Sequence, residues 1–236
     1  MRYFIGTTAG VALVGGICVA LAIPAASRPP AHRAAAHAPA KASQASGSCP
    51  VAGIDPEANQ PLAEWKEPGV STCRPRMVNG YPVPDATCTP GAINPTLTLA
   101  VLQNPKFRTG LCVRDNATSP GQKDKTYRWY GIPKPAHNTG QTQTCEKDHL
   151  ISLELGGADT LANIWPQCGP SKTVLRKRYF KQKDLVENFL ADQVREGAIP
   201  LADAQQGVAS DWTQYIDAAT AYYARHAATR RHPSDQ

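Results

Sequence analysis

No two cysteines of this chain stand in a Cys-x-x-Cys pair, which argues against a zinc ribbon or a four-cysteine zinc site. Acidic residues are missing from the whole stretch before Cys49, so Arg2, Arg28, Arg33 and Lys41 account for four of the six net positive charges. The remainder of the chain carries only +2, twenty-one basic against nineteen acidic residues, and overall charge therefore says little about its partners. From Ser27 to Ser48 the sequence is rich in Ala, Pro, Ser and His, with too little apolar surface to offset chain entropy; residues 27–48 read as a linker. Between Cys49 and Asn94, prolines and glycines recur too often for long helices, leaving loops and short strands. Nothing in the chain has the pattern of a base-reading module.

What is present suffices for a folded domain. With 236 residues and 42% hydrophobic content the chain can bury a proper core, and a single domain over residues 49–225 is the simplest organisation. Residues Tyr3 to Ile23 are almost continuously apolar and are followed by Pro24-Ala25-Ala26-Ser27, the pattern of a signal peptide over residues 1–26 cleaved near Ala26. The run is also long enough for a signal anchor holding the domain outside the cytoplasm through residues 3–23. Arg28, Arg33 and Lys41 outnumber Arg2, against the usual charge bias of exported chains, and cysteine usage decides for export. Cys18 follows the bulky Ile17 inside the run, which argues against a lipoprotein. The six remaining cysteines make an even set, as expected of disulfides in a periplasmic or secreted protein, with fifteen possible connectivities. Cys145 and Cys168 stand almost symmetrically about Gly156-Gly157, so a chain folded back there joins them; Cys49–Cys73 and Cys88–Cys112 are the companion pairs. Residues 226–236 are a polar tail.

The chemistry concentrates in Asp148-His149-Leu150-Ile151-Ser152-Leu153-Glu154-Leu155-Gly156-Gly157, followed by Asn163-Ile164-Trp165-Pro166. This reads as a strand ending in an acid and an imidazole, a glycine-broken turn, and a second strand opened by an asparagine. Phosphodiester hydrolysis needs a base for the attacking water and a cation for the charge that grows on the phosphate. His149 supplies a base with an ordinary pKa near neutrality, and Asp148 is its neighbour. Successive side chains of a strand point to opposite faces, so the two need a bend or bulge to meet at one metal. Asn163, fourteen positions after His149, can fix the hairpin and orient the imidazole.

These residues resemble the His-Asn-His (HNH) endonucleases, whose site is a hairpin plus a helix around one divalent metal. The closer resemblance is to exported bacterial proteins with Asp-His-Leu-Ile-x-Leu-Glu-Leu-Gly-Gly and then Asn-Leu-Trp-Pro-Glu. Further segments match at Cys88-Thr89-Pro90-Gly91-Ala92-Ile93-Asn94-Pro95, at Tyr130-Gly131, at Lys183-Asp184-Leu185-Val186-Glu187-Asn188, and from Ala204-Gln205 through Asp211-Trp212. The resemblance implies that His149 is the general base, Asp148 a metal ligand and Asn163 the residue that orients the base. It fails at one position: Tyr179 stands where a His or Asn ligand is expected, and a phenol with a pKa of about 10 is a poor ligand for a hard cation. Asp184, Glu187 or Asn188 then takes that place, or metal binding is weakened. The metal implied is a single divalent ion, Mg²⁺ first, with Mn²⁺, Ca²⁺ and Zn²⁺ as alternatives; no small-molecule cofactor is implied.

Plainer readings compete. His32, His37, His137, His226 and His232 are taken as structural or surface residues, and Trp165 as core. The polar face of Asp184, Glu187 and Asn188 lies opposite Val186, Phe189, Leu190 and Val194, and most such faces are merely solvated. Lys172, Arg176, Lys177, Arg178, Lys181 and Lys183 fall within twelve residues after the second strand; beside a phosphodiesterase motif they read as a phosphate-neutralising patch.

The secondary-structure pattern predicts strands at Thr96 to Gln103 and Gly110 to Arg114, and a hairpin from about Thr142 to Pro166. It predicts a helix from Lys183 to Glu196 ended by Gly197, and two helices between Leu201 and Arg225, the second capped by Ser210. The fold class is α+β, a disulfide-stabilised domain with an HNH-like ββα hairpin-plus-helix site and C-terminal helices. The expected function is metal-dependent cleavage of DNA, and of RNA as a second substrate, with little sequence preference. The alternative is a catalytically silent domain of the same fold that binds nucleic acid or another envelope polymer.

Overall fold

The computed structural model describes residues 48–226. The expected signal segment, nearly all of the linker and the tail beyond His226 lie outside the described residues. Among those described, no helix is long and apolar enough to cross a membrane.

The domain is mixed α and β, with small two-stranded sheets first and helices last. Strands β1 (Gln60–Pro61), β2 (Arg76–Val78), β3 (Tyr81–Val83) and β4 (Ala92–Ile93) precede four short helices, α1 (Leu99–Leu102), α2 (Thr109–Cys112), α3 (Pro120–Lys123) and α4 (Lys125–Trp129). Then come β5 (Cys145–His149), β6 (Ile164–Cys168), the long α5 (Tyr179–Arg195), α6 (Leu201–Asp211) and α7 (Ile216–His226).

Three elements build the site. Strands β5 and β6 pair antiparallel, in register from Cys145↔Cys168 to His149↔Ile164, and α5 packs against them. Helix α5 begins four residues before the sequence pattern predicts, because Tyr179 N–H donates to the Gly169 carbonyl at 2.8 Å and fixes its first turn against the end of β6. It ends as expected at Gly197, whose φ of 74° suits glycine. One face of α5 buries Val186, Leu190 and Val194 against Val208 and Trp212, with Ile151 and Leu155 from the β5–β6 connection closing the same core. Trp165 is core as expected, 1% exposed beside Trp129 and Tyr130.

Several expectations are corrected. The predicted strands at Thr96 to Gln103 and Gly110 to Arg114 are instead the helical turns α1 and α2. Thr98 caps the first, its side chain accepting from Val101 N–H, and burial of Leu97, Leu102 and Cys112 in one cluster selects helical over strand spacing. Ser210 does not cap α7: its hydroxyl donates back to the Gly207 carbonyl, and Asp211 accepts from Thr213 N–H at the turn that leads in.

All six described cysteines are paired. Cys145 joins Cys168 across the open end of the β5–β6 hairpin, as the symmetry about the glycines predicts. The other two pairs are Cys49–Cys112 and Cys73–Cys88, not the Cys49–Cys73 and Cys88–Cys112 expected. The reason is a second hairpin. Asn79-Gly80, with φ of 51° and 82°, turns β2 into β3 and brings Cys73 and Cys88 to its open end. Cys112 then meets Cys49, which packs with Val51 and Ile54 on the α1–α2 cluster. Three disulfides belong to a chain matured in an oxidising environment.

Candidate active site

The connection from β5 to β6 is held by Asn163, which is fully buried. Its Oδ1 accepts from Ile151 N–H at 2.9 Å, and its Nδ2 donates to the carbonyls of Ile151 and Ala158, both at 2.9 Å. One amide thus ties both ends of the loop. Gly157 permits the fold-back, since a Cβ there would collide with the Ile151 carbonyl oxygen. The loop is anchored outside the hairpin as well, by Asn94 N–H to the Gly156 carbonyl at 2.8 Å and Ala158 N–H to that of Ala92 at 2.9 Å.

That clasp delivers Asp159 to His149. The two come from positions ten apart, and His149 Nε2 lies 2.8 Å from Asp159 Oδ1. Lys123 Nζ approaches the same Oδ1 at 2.6 Å, and Asp115 N–H donates to Oδ2 at 2.7 Å. Burial by itself would raise the Asp159 pKa, but the hydrogen bonds from His149 and Lys123 outweigh it and hold the carboxylate ionised. An ionised Asp159 makes Nε2 the protonated nitrogen and leaves Nδ1 with its lone pair. The imidazole is kept neutral: burial pushes its pKa down to about 4, with the charges of Arg114 and Lys123 in the same direction, against the pull of Asp159. The orientation of the imidazole is therefore the work of Asp159. The Asn163 amide hydrogen-bonds to the loop backbone and not to His149, and so acts through the loop.

Asp148 turns the other way. The β5–β6 ladder runs without a bulge through Asp148↔Trp165 and His149↔Ile164, so the two side chains keep to opposite faces. The bend needed to bring both to one ion is not there. Asp148 meets α5, where Lys183 is fully buried. Lys183 Nζ lies 2.9 Å from Asp148 Oδ2, donates to the His149 carbonyl at 2.7 Å, and makes a short hydrogen bond to Glu187 Oε1. Burial alone would lower the Lys183 pKa; the carboxylates of Asp148 and Glu187 reverse this and raise it above the usual lysine range. Burial raises both carboxyls, with Lys183 opposing, and nearby Glu146 is pushed up to about 7 by burial and by the charges of Asp184 and Asp148.

The expected metal ligands are thus divided. Glu187 reaches the same cage as Asp148, whereas Asp184 is paired to Lys181 at 2.7 Å and Asn188 is a half-buried helix residue with no polar contact to the cage. Tyr179 packs its ring edge-on against Tyr81. Among the described residues no group of three or more His, Cys, Asp or Glu is arranged to hold a metal. The oxygens around Lys183 suit a hard cation in kind, but Mg²⁺ needs about 2.0–2.1 Å and near-octahedral coordination, and Ca²⁺ about 2.3–2.6 Å. With an ammonium already seated among them, they do not fit a divalent ion.

The basic run is also divided. Lys172, Arg176 and Lys177 are exposed. Arg178 is 5% exposed and donates to the carbonyls of Gln141 and Thr173, and Lys183 is in the cage, so both are structural and leave the proposed patch. Asp159, Lys123 and Arg114 are the participants that sequence reasoning missed. Asp159 had one visible signal, an acid two positions past the glycine pair of the hairpin turn. Lys123 and Arg114 had none, since they come from the separate α2–α3 region. Compared with family models, with curated proteins and with solved structures, the chain gave no match.

Proposed function

We propose that this domain is an exported phosphodiester hydrolase of the HNH layout, acting on nucleic acid, DNA first, with little sequence preference, and that His149 is its general base. The observation that carries the reading is the buried His149–Asp159–Lys123 chain, which fixes one tautomer, while burial keeps the imidazole neutral against the pull of Asp159. A neutral imidazole with Nδ1 free can take the proton of a water as its oxygen attacks phosphorus. The phosphorus–oxygen bond opposite breaks, and the leaving oxygen is protonated from solvent. Arg114 is exposed and acts on the imidazole electrostatically, so it is a cation placed to meet the phosphate. Lys172, Arg176 and Lys177 extend a sequence-independent contact along the backbone.

A plasmid-nicking assay with His149→Ala tests this. The variant should lose about 10²–10⁴-fold in rate while retaining its circular dichroism spectrum. A folded variant of near-normal rate refutes the assignment. The second reading, a catalytically silent domain that binds a nucleic acid or another envelope polymer, is favoured by one observation, a buried lysine seated between Asp148 and Glu187, two of the expected metal ligands. It predicts retention of plasmid in a gel-shift assay and no nicking at any metal concentration.

A further inference from the structure

The cage on the α5 side of β5 has the makings of a cation site with the cation built in. An ammonium group carries three donors and no acceptor. Lys183 Nζ meets three oxygens, from Asp148 on β5, Glu187 one turn along α5, and the backbone carbonyl of His149. The aliphatic stem has no exposed surface, so the head group cannot swing to solvent without opening the contact between α5 and the hairpin. Its Nζ lies 2.7 Å from the His149 carbonyl oxygen, a hydrogen-bonding distance, and 2.9 Å from Asp148 Oδ2, an ion pair without hydrogen-bond alignment; both are longer than the ligand distances of a bound Mg²⁺ or Ca²⁺. We propose that Lys183 is the resident cation of this cage, in the place a divalent ion would take between the hairpin and the helix, and that the protein binds no divalent ion there.

The cage lies on the face of β5 opposite His149, so the inference concerns this site and not the chemistry at the imidazole, and the binding measurement is independent of activity. A protein that fails to nick DNA refutes the hydrolase reading and leaves the lysine cage untouched.

The experiment is a Mn²⁺ titration of the full chain followed by electron paramagnetic resonance, with wild type, Asp148→Asn and Lys183→Ala in parallel. Wild type and Asp148→Asn should bind alike, because no ion sits on Asp148. In Lys183→Ala the vacated space and its unpaired carboxylates should take one Mn²⁺ at least tenfold more tightly than wild type, and adding Asp148→Asn should remove that gain. Stoichiometric binding in wild type that vanishes in Asp148→Asn overturns the proposal, as does a folded Lys183→Ala protein that gains nothing. Should Lys183→Ala fail to fold, the comparison of wild type with Asp148→Asn decides alone.

Discussion

Asn163→Ala should be among the most damaging single substitutions in this domain. The side chain is fully buried and makes three hydrogen bonds of 2.9 Å, to Ile151 N–H and to the carbonyls of Ile151 and Ala158. Each such bond contributes about 1 kcal/mol net, but its removal strands a peptide group away from water at about 1–3 kcal/mol. Partial relaxation of the loop and entry of a water reduce the sum, leaving a loss of roughly 3–6 kcal/mol against the ~5–15 kcal/mol of a typical domain. Asn163→Asp separates hydrogen bonding from volume. An aspartate keeps an acceptor for Ile151 N–H yet turns its second oxygen toward two carbonyl oxygens, so at neutral pH it should destabilise at least as much. Protonation of that carboxyl restores one donor, so the deficit of the Asp variant should shrink in acid. The assay is urea unfolding followed by tryptophan fluorescence with the disulfides intact, at pH 7 and pH 4. A loss below about 1 kcal/mol for Asn163→Ala, or an Asn163→Asp protein as stable as wild type at pH 7, would refute the clasp.

Three further outcomes are expected. In a ¹H–¹⁵N imidazole titration His149 should remain neutral down to about pH 4. Because its folded value lies below the ordinary 6.5, the unfolded chain binds the extra proton, so its contribution is complete above that pH and is lost as pH falls toward about 4, on the order of 3 kcal/mol in all; titration near 6.5 would contradict the burial argument. Glu146 works in the opposite sense: its folded value near 7 contributes stability in acid that fades as pH rises through 7, and Glu146→Gln should flatten that limb of the stability–pH curve. Removing the Cys145–Cys168 bridge by the double alanine variant should cost about 3 kcal/mol by chain entropy for a loop of this length, and peptide mapping without reductant should recover Cys145 with Cys168 and Cys73 with Cys88.

Sequence alone determined the features that depend on local spacing. The glycine pair between Asp-His and Asn made a hairpin, and the apolar positions of Val186, Phe189, Leu190 and Val194 ended by Gly197 made a helix. Cysteines set symmetrically about the turn had to meet. Asn79-Gly80 was equally legible as a turn and, given the weight it deserved, pairs Cys73 with Cys88 by the same reasoning. The strands expected at Thr96 and Gly110 failed because so short an apolar run fits either periodicity, and burial against Leu153 and Phe107 chose the helical one.

What only the tertiary structure decided is which charge meets which. Asp148 and His149 are neighbours in the chain, yet an unbent strand sends them to opposite faces, one to a lysine on α5 and the other to an aspartate in its own turn held by a lysine from α3. Lys183 and Arg178 belong to a basic run by sequence and to the buried framework by position. Charge and spacing are properties of the chain, whereas burial depends on the neighbouring elements, and burial is what turns a surface lysine into an internal cation.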